Sequence, residues 1–151
     1  MYKKKLYIMA KKEWFSTKFK AAFFTEFGAI PVDREKPDFA SIKKCLTVLK
    51  NGCNLLVFPE GTRNKVNSDL QEIKGGAGMM AFTAKVPVVP FALKKKFKPF
   101  HKNELYIGKP FDYSDLYGQK RSSALDDILT ERIRENLQKT VDIAQGKIKA
   151  E

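Results

Sequence analysis

The sequence predicts an α/β fold, with a mostly parallel central sheet flanked by helices and a long C-terminal amphipathic helix. Three observations predict it. Short apolar runs alternate with helix-like stretches from Leu6 to Leu93, the order expected of parallel strands joined by crossover helices. The run Leu55-Leu56-Val57-Phe58 is unbroken and stops at Pro59-Glu60-Gly61, as a central strand buried on both faces does. Leu125, Ile128, Leu129, Ile133, Leu137, Val141, Ala144 and Ile148 recur at helical spacing.

The elements follow in order. Leu6 to Ala10 reads as a first short strand. Trp14 to Phe27 reads as a helix, with Phe15, Phe19, Ala22, Phe23 and Phe27 on one side and Lys18, Lys20 and Glu26 on the other. That spacing favours a core-facing helix. A helix lying at a membrane interface, with Trp14 and the phenylalanines inserted, fits the same spacing. Gly28 suits the C-terminal cap. Ala29 to Val32 is a second strand. Pro37-Asp38 starts the next helix, with Phe39, Ile42, Cys45, Leu46 and Leu49 facing inward, and Asn51-Gly52 ends it. The strand at Leu55 follows.

Asn64 to Asp69 is polar and reads as an exposed loop. Ile73 to Gly78 then leads into a helical stretch through Met79, Phe82 and Val86. The glycines there serve close packing, or an anion site at a helix N-terminus. Their spacing matches no nucleotide-binding fingerprint. Val86 to Leu93 reads as a fourth strand, at an edge or bulged because Pro87 and Pro90 lack an N–H. Glu104 to Ile107 is a further strand, Asp112 to Gly118 a turn region, and Ser123 with Asp126 a capping-box-like start to the last helix. That helix frays past Gly146. The whole of residues 1–151 reads as a single domain of ordinary size.

Charge narrows the partners. The 29 Lys and Arg exceed the 17 Asp and Glu, giving a net charge of +12. An anionic partner is expected: nucleic acid, an anionic membrane surface or a phosphorylated substrate. Nucleic acid fits least, because neither a recognition helix nor a stacking platform can be picked out. No stretch approaches the roughly 18 apolar residues of a membrane span. Cys45 and Cys53 show no metal-ligand spacing. They read as buried free thiols, as in a reducing cytoplasm.

If the four strands are parallel, the residues after each share one edge of the sheet: Lys11 and Lys12, Asp33 and Arg34, Glu60 to Arg63, and Lys94 to Lys96. Ligands of such sheets collect beyond that edge. A rim of this kind suits a phosphate held by arginine forks. A surface Glu60–Arg63 ion pair is the alternative reading.

Phe58-Pro59-Glu60-Gly61-Thr62-Arg63 resembles the signature block of the glycerolphosphate acyltransferases, in particular the 1-acyl-sn-glycerol-3-phosphate (lysophosphatidate) acyltransferases. Met9 to Glu13 is similar to the family's stretch ahead of its second block, Gly28 to Arg34 to that block, and Val86 to Pro90 to the fourth. The resemblance runs from about Ile8 to Pro110. It implies acyl transfer from acyl-CoA or acyl carrier protein to the free hydroxyl of a 1-acyl-glycerol phosphate, at the cytoplasmic face of a membrane. It also implies that Arg34 and Arg63 hold the phosphate, and that Glu60, Gly61 and Thr62 shape that site with help from Lys74. Pro87 and Pro90 would shape the acyl site. No metal or tightly bound cofactor is implied.

The family's first block, a His and an Asp separated by four residues, is expected upstream of Met9, and the chain starts too late to contain it. The membrane anchor of many relatives is expected to be missing too, leaving the chain peripheral. The single histidine, His101, lies after the fourth block with Tyr106 five positions on. No catalytic residue is therefore assigned within the chain. Loss of a general base costs about 100- to 10,000-fold in rate, so the alternative expectation is an inactive phosphate- or phospholipid-binding remnant of the same fold. An unrelated nucleic-acid-binding domain ranks behind both.

Overall fold

The computed structural model describes residues 4–33, 38–61, 70–95 and 97–149. They form two compact units, Met1–Gly61 and Thr62–Glu151.

In the first unit, β1 (Leu6–Lys11) pairs in parallel with both β2 (Ala29–Val32) and β3 (Asn54–Leu56), giving the order β2-β1-β3. Met9 stands opposite Ile30, and Ile8 opposite Leu56. Pro31 is tolerated in β2 because that strand pairs only on the β1 side. Between β1 and β2 lie a 3-10 turn, Lys12–Phe15, and α1 (Lys18–Glu26). Thr17 caps α1, its hydroxyl accepting from the Lys20 N–H at 3.3 Å. This cap splits the single helix expected over Trp14 to Phe27. Gly28 ends α1 with φ +78°, and a Cβ there would stand 2.8 Å from the Leu6 carbonyl oxygen, so only glycine fits.

α2 (Phe39–Lys50) packs on β2 and β3. Its buried line is Ser41, Cys45 and Val48. The expected inward face was rotated: Phe39 is exposed, and Ile42, Leu46 and Leu49 are half-buried flanks. The core of this unit is Ala10, Ala29, Ile30, Cys45 and Val48. Cys45 is fully buried, and desolvation pushes its thiol up to about 11. Cys53 is only half-buried, and neither cysteine is bridged.

Two expectations are corrected here. Among the described residues the Leu55 run pairs on one side only, its residues are half-buried, and Phe58 is exposed. The central place belongs to β1, which pairs on both sides. The Trp14–Phe27 segment does not face the core, because α1 buries none of its residues.

In the second unit, α3 (Gly76–Ala84) and α4 (Ser123–Ala144) pack together, and α4 also covers β4 (Phe91–Leu93) and β5 (Leu105–Ile107). β4 and β5 are antiparallel, with Ala92 opposite Tyr106. Val88 and Phe111 extend the pair, exchanging N–H···O bonds of 2.7 and 3.0 Å. The parallel strand expected over Val86 to Leu93 is corrected: within this unit β4 is antiparallel to β5. Pro87 and Pro90 leave Val88 as the sole ladder donor between them, and β4 pairs backwards with β5.

The core of the second unit is Ile73, Ala81, Tyr113, Leu116, Leu125, Leu129 and Ile133. Tyr113 is fully buried. Its hydroxyl donates to the Leu129 carbonyl at 2.8 Å, and Phe82 and Phe111 meet its ring edge-on. Arg132 lies over the same ring and forks onto Asp115 at 2.6 and 2.8 Å. That tie links α4 to the 3-10 turn Ser114–Leu116. The cap of α4 is Ser122, whose hydroxyl accepts from the Leu125 N–H at 3.2 Å, one residue earlier than the expected Ser123. The buried line of α4 matches the expected stripe at Leu125, Leu129, Ile133 and Ala144, while Ile128 and Ile148 are exposed.

Gly78 allows α3 to lie close on α4: a Cβ there would stand 2.8 Å from the Leu129 carbonyl oxygen. At Gly76 a Cβ would meet nothing within 4 Å. The two substitutions should therefore differ in sign. Gly76→Ala should raise stability by up to about 1 kcal/mol through helix propensity. Gly78→Ala should lower it by about 1–3 kcal/mol through overpacking. Urea unfolding of the two variants measures both.

Candidate functional site

Because β1, β2 and β3 are parallel, the chain leaves all three at one edge of the sheet. Lys11 and Lys12 leave β1, Asp33 leaves β2, and Val57 leads from β3 into the turn Phe58-Pro59-Glu60-Gly61. The Gly61 N–H donates to the Phe58 carbonyl at 3.1 Å, and Gly61 has φ +69°. Pro59 supplies a fixed φ to the turn and Gly61 its left-handed residue. Glu60 and Gly61 are half-buried. Thr62, Arg63 and Arg34 lie outside the described residues.

The stem of the segment that carries Arg34 is described. Asp38 accepts three hydrogen bonds: from the Asp33 N–H at 3.1 Å, the Ser41 N–H at 3.0 Å and the Ser41 hydroxyl at 2.6 Å. The Ser41 hydroxyl also lies 2.5 Å from the Pro31 carbonyl oxygen. One carboxylate therefore caps α2 and fastens the end of β2 to its start. The bonds from the Ser41 hydroxyl, the Ser41 N–H and the Asp33 N–H hold the Asp38 carboxyl below its ordinary value of 3.8. Lys12 adds positive charge, with its Nζ 3.8 Å from Asp33 Oδ2.

A groove of about 560 Å³ opens at this edge, lined by Lys12, Glu13, Phe15, Ser16, Pro31, Asp33, Asp38 and Ser41. It has an apolar wall, a lysine and several carboxylates. Sequence reasoning named Lys12 and Asp33 for this rim but read Asp38 only as a helix start and passed over Ser41. The signal available was Pro37-Asp38 with a serine three residues on, the spacing of a side-chain cap.

The remaining predicted residues lie in the second unit. Lys74 is exposed just ahead of α3, and Pro87 is exposed. Pro90 is buried, and its carbonyl accepts from the Gly108 N–H at 2.9 Å. The rim expected to include Lys94 to Lys96 is corrected: Lys94 follows an antiparallel strand and pairs with Glu104 at 2.9 Å, and Lys96 is outside the described residues. His101 is exposed, with Nδ1 2.9 Å from the Pro99 carbonyl. Among the described residues no group of His, Cys, Asp and Glu could hold a metal ion.

The Asp38 fastening makes a pH-dependent prediction. Asp38→Ala should lower stability by about 1 kcal/mol at neutral pH, the usual cost of losing an N-cap, while Asp38→Asn should retain most of it. The folded-state pKa is depressed, so the carboxylate's contribution is complete above 3.8 and fades as pH falls through the lower folded value. The gap between wild type and Asp38→Ala in denaturant titrations should therefore narrow in strongly acidic buffer.

The acyltransferase family model matches residues 1–94. The chain is 37% identical over 139 residues to the 1-acyl-sn-glycerol-3-phosphate acyltransferase of Bacillus subtilis, an alignment covering 86% of this chain and 68% of that protein. It is 33% identical over 119 residues to the protein of the same name from Streptococcus pneumoniae, covering 75% of this chain and 43% of that one. The crystal structure of the 1-acyl-sn-glycerophosphate acyltransferase PlsC from Thermotoga maritima superposes with a TM-score of 0.57, over 88% of this chain and 56% of that one. At 20% identity the superposition shows a shared fold. The chain spans about two thirds of the length of the Bacillus relative and less than half of the Streptococcus one. The family match covers most of the chain, including the turn after β3, and on that footing this chain is an enzyme-family member: it belongs to the acyltransferases.

Proposed function

We propose that this chain binds 1-acyl-glycerol-3-phosphate at the edge where β1, β2 and β3 end, for acylation of its free hydroxyl in phospholipid synthesis. One observation carries the reading. The Phe58–Gly61 turn, whose residues begin the signature block, stands on the same edge as Lys12 and the stem of Arg34. Relatives that share this block are named 1-acyl-sn-glycerol-3-phosphate acyltransferases. In this reading Arg34 and Arg63 hold the phosphate as bidentate forks. Glu60, Gly61 and Thr62 shape the cradle, and Lys74 adds charge. Pro87 and Pro90 shape the acyl site, though buried Pro90 also has a structural bond to Gly108. The donor is a thioester, acyl-CoA or acyl carrier protein, and no metal takes part. The reaction belongs at the cytoplasmic face of a membrane. Among the described residues no helix is long and apolar enough to cross one.

A glycerol hydroxyl attacks a thioester only when a base takes its proton. The 151 residues contain no His followed five positions later by an acid. The alternative is that these residues bind the acceptor and transfer slowly or not at all. The two readings share the phosphate site and differ only in turnover.

Arg63 tests the shared site. Calorimetric titration with lysophosphatidate should show Arg63→Lys binding at least about tenfold more weakly, because the charge stays and the fork is lost. Arg63→Ala should bind more weakly still. Unchanged affinity in both variants would remove Arg63 from the site. An acyl-CoA turnover assay on the same wild-type sample separates the two readings.

A further inference from the structure

α1 buries none of its residues. Phe19, Phe23 and Phe27 are 84%, 52% and 69% exposed. They stand four residues apart and so share one stripe of the helix. The stripe is continuous with more aromatic surface. Phe27 lies 4.8 Å from Phe23, Phe23 lies 5.6 Å from Phe24, and Phe24 lies 5.7 Å from Trp14, which is 45% exposed. Scattered exposed apolar residues are ordinary, but a contiguous aromatic patch of this extent marks an interaction surface.

Charge identifies the occupant. Lys20 borders the stripe on one side. Glu26 and then Lys18 lie on the other, by helical spacing. Among the described residues neither Lys18 nor Lys20 has an acidic partner within salt-bridge distance. Lys11 and Lys12 follow β1 on the approach to α1, in weak exposed pairs with Glu13 and Asp33 at 3.7 and 3.8 Å. Aromatic side chains on one face with a lysine at its border form the pattern of a helix lying in a bilayer interface. A tryptophan at the edge of the apolar surface suits the headgroup level. The net charge of +12 favours the same partner.

We infer that the α1 face Phe19–Phe23–Phe27, with Trp14, docks on an anionic lipid surface: its rings enter the headgroup boundary, and Lys20 at its border pairs with lipid phosphates. This face includes neither Arg34 nor Arg63. Its role is to hold the protein on the membrane that contains the lipid acceptor.

The test uses the intact chain and phosphatidylcholine vesicles with and without phosphatidylglycerol, lysophosphatidate being left out. Trp14 is the sole tryptophan, so its emission reports this face directly. Wild type should bind the anionic vesicles with a blue-shifted Trp14 emission, and the neutral vesicles more weakly. Phe19→Ser with Phe23→Ser should weaken anionic binding by about tenfold or more, since two apolar rings no longer leave water. Lys20→Glu should weaken binding to anionic vesicles while sparing the neutral ones. All three positions are exposed, so circular dichroism should show the fold retained. Should the phenylalanine variant misfold, the lysine variant decides. Anionic binding equal to wild type in the folded variants, or no binding by wild type, would overturn the proposal. So would wild-type dimers that the phenylalanine variant loses, because the face would then belong to a second copy.

Discussion

Parallel pairing of β1 with β2 on one side and β3 on the other is the constraint on which the site depends. Parallel strands need crossover connections, and each crossover returns the chain to the same end of the sheet. Lys12, Asp33 and the turn ending at Gly61 therefore meet one edge, although they come from three separate stretches of sequence. The ladders differ in length. β3 stops level with Ile8, while β1 runs on to Lys11 opposite Val32. Val57 and Phe58 are thereby freed from pairing to carry the chain into its turn.

The same edge is fixed by local chemistry. Gly28 turns the chain where a side chain would strike the Leu6 carbonyl, setting the start of β2. Asp38 gathers the end of β2 and the start of α2 around one carboxylate. The segment between them, which carries Arg34, is anchored at both ends by backbone donors. In the second unit, Tyr113 and Arg132 tie the chain after β5 onto α4, and Gly78 lets α3 approach α4 closely. Each of these is a short-range requirement imposed by backbone geometry or by a buried polar group.

That distinction explains what could be read in the sequence. Gly28, Gly61, Asp38 as a helix start and the two prolines around Val88 were legible, because their conformational demands are local. Most of the α4 stripe was legible because its period is long and regular. The fate of α1 was not, since phenylalanines four residues apart look alike whether they face a core or stand exposed. Nor was the one-sided pairing of β3 among the described residues, because an apolar run does not state how many neighbours it will pair with. The reversal of β4 depends on its distant partner β5. Of the candidate site, the contribution of Lys12 and Asp33 to the rim was legible. The Asp38–Ser41 fastening passed as an ordinary cap, because a cap and a site stem use the same hydrogen bonds.

The central claim is that the turn after β3 and the end of β2 together receive a glycerol phosphate. The most direct measurement is an amide NMR titration of the chain with glycerol 3-phosphate, which is water-soluble and leaves the lipid surface out of play. The account predicts saturable shifts at the Gly61 and Asp33 amides with one common affinity, and little change at Gly118 or Gly146. A titration that leaves Gly61 and Asp33 unmoved, or that shifts lysine-rich segments throughout the chain alike, would contradict it.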